Sequence, residues 1–354
     1  MKASFVYMPV FRVRQQELEL LKHFDFGNRI CPYIEIVKDK DRPKKMSFSI
    51  FFRSLILAIK SHTVFVDIPI HLKLDSKTKK DVMEFLLPMR QVENRIKTLL
   101  SLAESDKMVP VISSYHTLTG ETGTIKKQVD KLRPIFPRLA FRITAKDPDF
   151  ESEMDQVEPW LTPKDYLIVD FDEDSIELNS EQIAEIIARL SQVSICPIVA
   201  LRSAIPIEIK YKDFENDEEI PKTDNRLLSR YKLLNASAFG DYVGIKRDLL
   251  PESIARKNVI FGFIYYDATT NKYYGYKGET AGFSAIKDSV IPMIIRSEAT
   301  KRMQKSDLNF ISDSNRGWNL LTGPAYGRPQ DLKRISMEHY VHCIKVLIDA
   351  GKLD

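Results

Sequence analysis

The chain has 354 residues, of which 44% are hydrophobic and 29% charged, with 53 basic against 49 acidic side chains and only 13 glycines. This balance excludes a disordered or fibrous chain and lacks the strongly basic footprint of a dedicated nucleic-acid binder. The length suits one barrel-sized domain or two smaller ones.

Short apolar runs rich in β-branched and aromatic residues recur along the chain, separated by stretches of helical period. A strand at 5–11 (FVYMPVF) leads to a helix over 15–23, and a second strand at 32–37 (PYIEIV) to a helix over 47–60. The third strand, 63–68 (TVFVDI), precedes a helix over 81–104 that breaks at Pro88; the fourth, 108–113, precedes a helix over 124–133. Strands at 139–144 and 166–171 alternate with helices at 151–160 and 180–190. Ser180 caps the latter, and Ile183, Ile186, Ile187 and Leu190 share one of its faces. Strands at 195–201 and 238–245 flank a helix over 224–234 introduced by Asp224.

Eight near-continuous apolar strands alternating with helices predict an α/β fold, a (β/α)8 TIM-barrel-like domain over residues 1–250. An open doubly wound sheet is the alternative, but the turn after the first strand, FRVRQQ, has none of the glycines of a dinucleotide site. Residues 251–354 read as a C-terminal extension packed on the barrel or as a separate domain. It has a β-hairpin (259–266 and 273–276), a helix near 284–296, a polar stretch through Trp318, a Gly/Pro loop at 323–329 and a final amphipathic helix over 336–350.

Cys31, Cys196 and Cys343 are odd in number, far apart and without a CxxC pair, which fits buried thiols in a reducing compartment. The chain opens directly into a strand pattern, and no run of about 18 apolar residues occurs, so a cytoplasmic location without a membrane span is expected.

In such a barrel chemistry belongs to the C-terminal strand ends. The polar residues there are Arg12 and Arg14, Glu35, Asp67, Ser113 with His116, Arg142, Asp170 with Asp172, Arg202 and Asp241. Charges pointing into a barrel must be paired or hydrogen-bonded. Either they form an internal salt-bridge network or face outward, or they line a pocket. In the pocket reading Arg12, Arg142 and Arg202 grip an anionic ligand such as a nucleotide, Asp241 is a further ligand-binding residue, and carboxylates hold Mg2+ or Mn2+ or act as acid and base. No HExxH, GxSxG or GxxxxGK[ST] occurs. Of the six histidines, His71 and His116 follow the third and fourth strands on the loop face, and His339 and His342 share a face of the last helix, where packing, solvent or metal could claim them. The aromatic stretch 261–283 either packs on a core or stacks bases, with Tyr273, Tyr274 and Tyr276 as the residues to test. Mixed-charge runs at 38–45 (KDKDRPKK) and 226–232 read as solvated loops or faces, or as local basic patches.

Several segments resemble the bacterial and phage "beta protein" family: YMPVFRVRQQELELL, CPYIEI, RLLSRYKLLNASAFGDYVGI, YYGYKGETAGFS and GRPQDLKRISMEHYVHCIKVL. They are spread over nearly the whole chain. The family is similar in its tyrosine/proline opening strand, its P-x-I-E strand, its F-G-D-Y element and its His-containing last helix, where adjacent histidines are usual and this chain has His339 followed by Tyr340. The resemblance implies a barrel-like protein of no established reaction whose relatives accompany mobile elements and phage defence.

Three functional expectations follow. The first is a component of a phage-defence or mobile-element system whose barrel mouth binds a nucleotide, a nucleic-acid end or a co-encoded partner. The second is a metal-assisted phosphodiesterase or nuclease using Glu35, Asp67, Asp170 and His116. The third is a non-enzymatic scaffold that docks a co-encoded protein through its C-terminal hairpin and helix.

Overall fold

A computed structural model describes residues 2–39, 46–72, 74–146, 149–247, 261–280, 284–323 and 329–353. Eight parallel strands close into a barrel: β1 (Tyr7–Arg12), β2 (Tyr33–Glu35), β3 (Val64–Asp67), β4 (Met108–Ile112), β5 (Ala140–Thr144), β6 (Tyr166–Asp170), β7 (Ile198–Leu201) and β8 (Ala238–Asp241). Neighbours in sequence are neighbours in the ring, and β8 returns to β1. With the surrounding helices this is the expected (β/α)8 fold.

The strands read as unbroken apolar runs because both faces are covered; all six residues of β1 and all five of β6 are buried. Phe5, Phe65 and Tyr166 meet inside the barrel with ring centroids 5.1 to 5.7 Å apart. Each buried aromatic of this kind contributes roughly 1.5–3 kcal/mol of transfer free energy. Tyr33 lies over Phe65 at 6.3 Å and carries the aromatic filling upward to the polar strand ends.

Register determines which strand-end residues share a level. In parallel pairing Arg12 is level with Glu35, and Glu35 with Asp67, while Thr144 is level with Asp170. Successive side chains alternate between the faces of a strand. Asp170 and Leu201 are register partners, so they share the interior face, and Arg202, one position on, falls on the other. In the same way Gly240 is level with Met8 and with Leu201 inside the barrel, which turns Asp241 outward.

The described residues divide into two compact units, one of residues 2–202 with Ser229–Asp241 and one of Ser203–Leu228, 242–247 and 261–353. The first holds the whole barrel. In the second, β9 (Gly262–Asp267) and β10 (Lys272–Lys277) form the expected hairpin, and the two-residue strand Glu218–Glu219 adds to β10 as a third, antiparallel member.

Several local expectations are revised. The helix over 224–234 is a short turn of helix, Leu227–Arg230, followed by a 3-10 turn, Tyr231–Leu234, which Asn235 ends in the left-handed region at φ 56°. The polar stretch before Trp318 hides the helix Glu298–Lys305, capped by the Ser297 hydroxyl, and leads into Arg316–Thr322, capped by Asn315. The last helix begins at Pro329, where a missing N–H leaves no bond unmade, and runs to Asp349. The strand start at 259–260, most of the 38–45 run, Phe283 and most of the loop at 323–329 lie outside the described residues. No helix of the described residues is long and apolar enough to cross a membrane.

A Cβ on Gly240 would stand 2.7 Å from the Met8 carbonyl oxygen and 3.2 Å from Leu201 Cδ1. Gly240→Ala is therefore expected to lower stability by roughly 1–3 kcal/mol, read as a reduced denaturant midpoint.

Candidate functional site

The C-terminal ends of β1, β2, β3, β5 and β6 bring Arg12, Glu35, Asp67, Arg142 and Asp170 into one buried cluster, none more than 8% exposed. Arg142 crosses the barrel interior from β5. Its Nη1 donates to Asp67 Oδ2 at 2.9 Å, to Glu35 Oε1 at 3.1 Å and to the Tyr33 hydroxyl at 3.1 Å. Nη2 donates to Asp170 Oδ2 at 2.6 Å and lies 3.5 Å from His71 Nε2, and Nε donates to Asp170 Oδ2 at 3.2 Å. Every one of a guanidinium's five N–H donors thus has an acceptor. Arg12 holds the other oxygen of Glu35 through Nε at 2.9 Å and Nη2 at 2.8 Å. Tyr33 donates its hydroxyl to Asp67 Oδ2 at 2.7 Å.

Three carboxylates against two guanidinium groups leave the cluster one negative charge in excess when all are ionised. Burial pushes the Asp67 carboxyl above its ordinary value, and the Glu35 charge pushes the same way, while Arg142 and the Tyr33 hydroxyl oppose them. Burial also drives the Tyr33 hydroxyl up.

Above the cluster sits a half-buried pair. His71 Nδ1 is 3.2 Å from the Tyr115 hydroxyl, with the rings stacked at 5.8 Å, and the Arg95 guanidinium lies 5.8 Å from the Tyr115 ring centre. If Arg142 donates to Nε2, the His71 proton resides on Nδ1 and is given to Tyr115. Tyr115 is left-handed at φ 49° and Asp172 at φ 55°, backbone geometry that non-glycine residues adopt at a cost.

Glu153, on the helix Asp149–Val157, ties two strand ends together: Oε2 accepts the Thr144 N–H at 2.6 Å and Oε1 the Ser114 hydroxyl at 3.2 Å. Burial pushes its carboxyl up from 4.5 to about 7, reinforced by the charges of Asp149 and Asp170 and opposed by those two hydrogen bonds.

The other expected residues go elsewhere. Arg202 donates from Nε to the Asp174 carbonyl at 2.6 Å, on the face away from the cluster. Asp241 accepts the Tyr7 hydroxyl at 2.7 Å. His116 is exposed, with Nδ1 3.1 Å from the Glu121 carbonyl. Tyr274 accepts from Arg302 Nη2 at 2.9 Å beneath the guanidinium, and buried Tyr276 donates to Asp217 at 2.7 Å, so both serve the second unit's own packing. Among the described residues no three His, Cys, Asp or Glu side chains are grouped to hold a metal ion. The space between Glu35, Asp67 and Asp170 is taken by the Arg142 guanidinium. Tyr115, Arg95 and Glu153 were not among the expected site residues, and His71 was expected on the loop face without a ligand-binding or catalytic role.

The family model described as Beta protein matches residues 7–343. The chain belongs to the Beta protein family. The matched span runs from the first residue of β1 into the last helix and so takes in both units of this Beta protein family member. The residue that follows His339 has a packing role. Tyr340 is fully buried, with its ring 4.6 Å from that of Tyr266 and its hydroxyl 3.3 Å from Asn225. His339 Nε2 meets the Tyr266 carbonyl at 2.9 Å while Nδ1 meets Asn315 Nδ2 at 2.9 Å; burial lowers its pKa to about 4. His342 Nε2 meets a different carbonyl, that of Asn309, at 3.0 Å. The three cysteines are buried and free, with the Cys31 and Cys196 thiols pushed up to about 12 by burial. No curated protein matches the chain.

Removing the central cation leaves three buried carboxylates facing one another. Arg142→Gln is expected to destabilise by about 3–5 kcal/mol near neutral pH, and to recover part of that loss on acidification as Asp67, whose carboxyl burial already pushes up, takes up a proton, measured by thermal unfolding at neutral and acidic pH. Glu153 is more protonated folded than unfolded, so its contribution is full below 4.5 and disappears as pH climbs through about 7. The melting temperature of Glu153→Gln relative to the parent should accordingly rise between about pH 5 and pH 8; a constant difference would remove Glu153 as a titrating group.

Proposed function

We propose that the chain is a ligand-binding barrel whose mouth seats a small polar molecule above the Arg142 cluster. The observation that carries this reading is the convergence of five charged side chains from five strands at the C-terminal end of a closed parallel barrel. A buried ion cluster is weak evidence for stability, because desolvation offsets its Coulomb gain, and perturbed carboxyls concentrate at functional sites. The strained backbone of Tyr115 and Asp172 supports the same location.

Donor count supports the ligand class. Arg142 has no N–H left for a phosphate, whereas Asp170, Glu153 and the Tyr115 hydroxyl offer oxygen acceptors. The ligand we infer is one that brings donors to these acceptors, such as an amine, a guanidine or the exocyclic amino group of a nucleobase. A nucleotide enters by its base in this reading. The phage-defence or mobile-element setting, a co-encoded partner and a cytoplasmic location are proposed from the family resemblance and the sequence reading.

The test is isothermal calorimetry against nucleosides, nucleotides, polyamines and amino acids. A binder is expected that loses nothing when its phosphate is absent and that weakens roughly tenfold or more in Asp170→Asn, the loss of one charge-assisted bond. Failure of the whole panel, or unchanged affinity in both Asp170→Asn and Glu153→Gln, removes the proposal.

A further inference from the structure

We propose that the barrel carries a second site, for a small organic anion, at the end opposite the Arg142 cluster. A cavity of about 490 Å³ opens there among residues that precede the strands: Lys2 and Ser4 before β1, Asp106 before β4, Arg138 before β5 and Lys164 before β6. That volume lies in the range of small-molecule pockets.

The cations of this cavity have donors to give. Arg138 is held flat by two bonds, Nη1 to the buried Thr63 hydroxyl at 3.0 Å and Nη2 to the Asp106 carbonyl. These take two of the five N–H donors that a guanidinium offers. Lys2 and Lys164 are exposed, and neither has an ion pair or side-chain hydrogen bond among the described residues. The negative side is weaker. Asp165 also lines the cavity, but its carboxylate is fully buried and taken up by Arg133 through two bonds of 2.9 Å, by the Leu139 N–H at 2.9 Å and by the N–H and hydroxyl of Thr162 at 2.8 Å. Asp106 alone is left to offset three cations.

The walls decide the rest of the ligand's chemistry. Pro137, Pro163 and Pro197 line the cavity together with Tyr166, whose buried ring belongs to the aromatic filling of the barrel. Proline has a fixed φ and no N–H, so these walls are stiff and offer a bound molecule apolar contact without donors. A pocket with cations at its rim and apolar walls suits a phosphate or carboxylate attached to a flat organic body, and its one-signed field concentrates such anions.

The probes are inorganic phosphate and adenosine 5′-monophosphate, titrated calorimetrically into the full chain at low salt. Saturable binding is expected, tighter for the nucleotide, weakened by added NaCl and reduced roughly tenfold or more in the Lys2→Ala/Lys164→Ala double variant. Neither lysine carries a structural bond, so this variant should keep the parent's melting temperature. Asp170→Asn should bind phosphate as the parent does. No saturable binding, or undiminished binding in the double variant, overturns the proposal. Binding of adenosine 5′-monophosphate weakened in Asp170→Asn and kept in the double variant would put the nucleotide at the mouth by its base, and the second site would fall while the mouth remained a binding site.

Discussion

Three carboxylates, Glu35, Asp67 and Asp170, point into a barrel interior from which water is largely excluded, and one guanidinium holds them there. Arg142 reaches across the lumen to strands on both sides of it and gives each carboxylate at least one charge-assisted bond. Without it those charges would repel one another in a medium of low dielectric. Arg12 completes the arrangement by gripping the free oxygen of Glu35, so Glu35 bridges the two cations. The aromatic layer of Phe5, Phe65, Tyr166 and Tyr33 beneath the cluster supplies both the apolar floor and, through the Tyr33 hydroxyl, one more donor for Asp67.

The barrel was legible because each strand is covered on both sides and so writes itself as an apolar run, with turn residues and helical periods between. The site was legible in part, and the reason is the two-residue alternation. Interrupting charges mark strand ends, but the sequence does not say which face each one takes until the register is known. Arg12, Glu35, Asp67, Arg142 and Asp170 fall on the inner face. Arg202 and Asp241 are one residue out of phase with interior positions and find backbone and tyrosine partners instead. A signal was present: Leu201 and Gly240 are the small or apolar positions that a packed lumen needs next to each of them.

What the sequence could not carry is the second layer of the mouth. His71 and Tyr115 sit in loops after β3 and β4, 44 residues apart, and no periodicity links them. His116 looked equivalent to His71 because both follow a strand. The left-handed turn at Tyr115 directs the tyrosine toward His71 and leaves His116 on an exposed short helix. The Glu153 carboxylate is hidden in the same sense: an acidic residue on an amphipathic helix reads as solvent-facing, and only the fold turns it onto the Thr144 N–H. In the second unit the tyrosines and histidines of the hairpin and last helix are matched to one another and to carbonyls, which makes them core residues despite their chemistry.

The arginines of the barrel illustrate why residue type alone is a poor guide to anion binding. A guanidinium recognises phosphate or carboxylate only with donors that the protein has left over. Arg142, buried and central, has none, so its role is to fix three acids in place. Arg133 spends two bonds on Asp165 and one on the Trp160 carbonyl. Arg138, at the other end of the same strand as Arg142, is tethered through two bonds only and stands beside two lysines. One strand, β5, therefore begins next to a donor-rich end and runs up to an acceptor-rich one, and this contrast is the reason ligands of opposite character are proposed for the two ends of a single barrel.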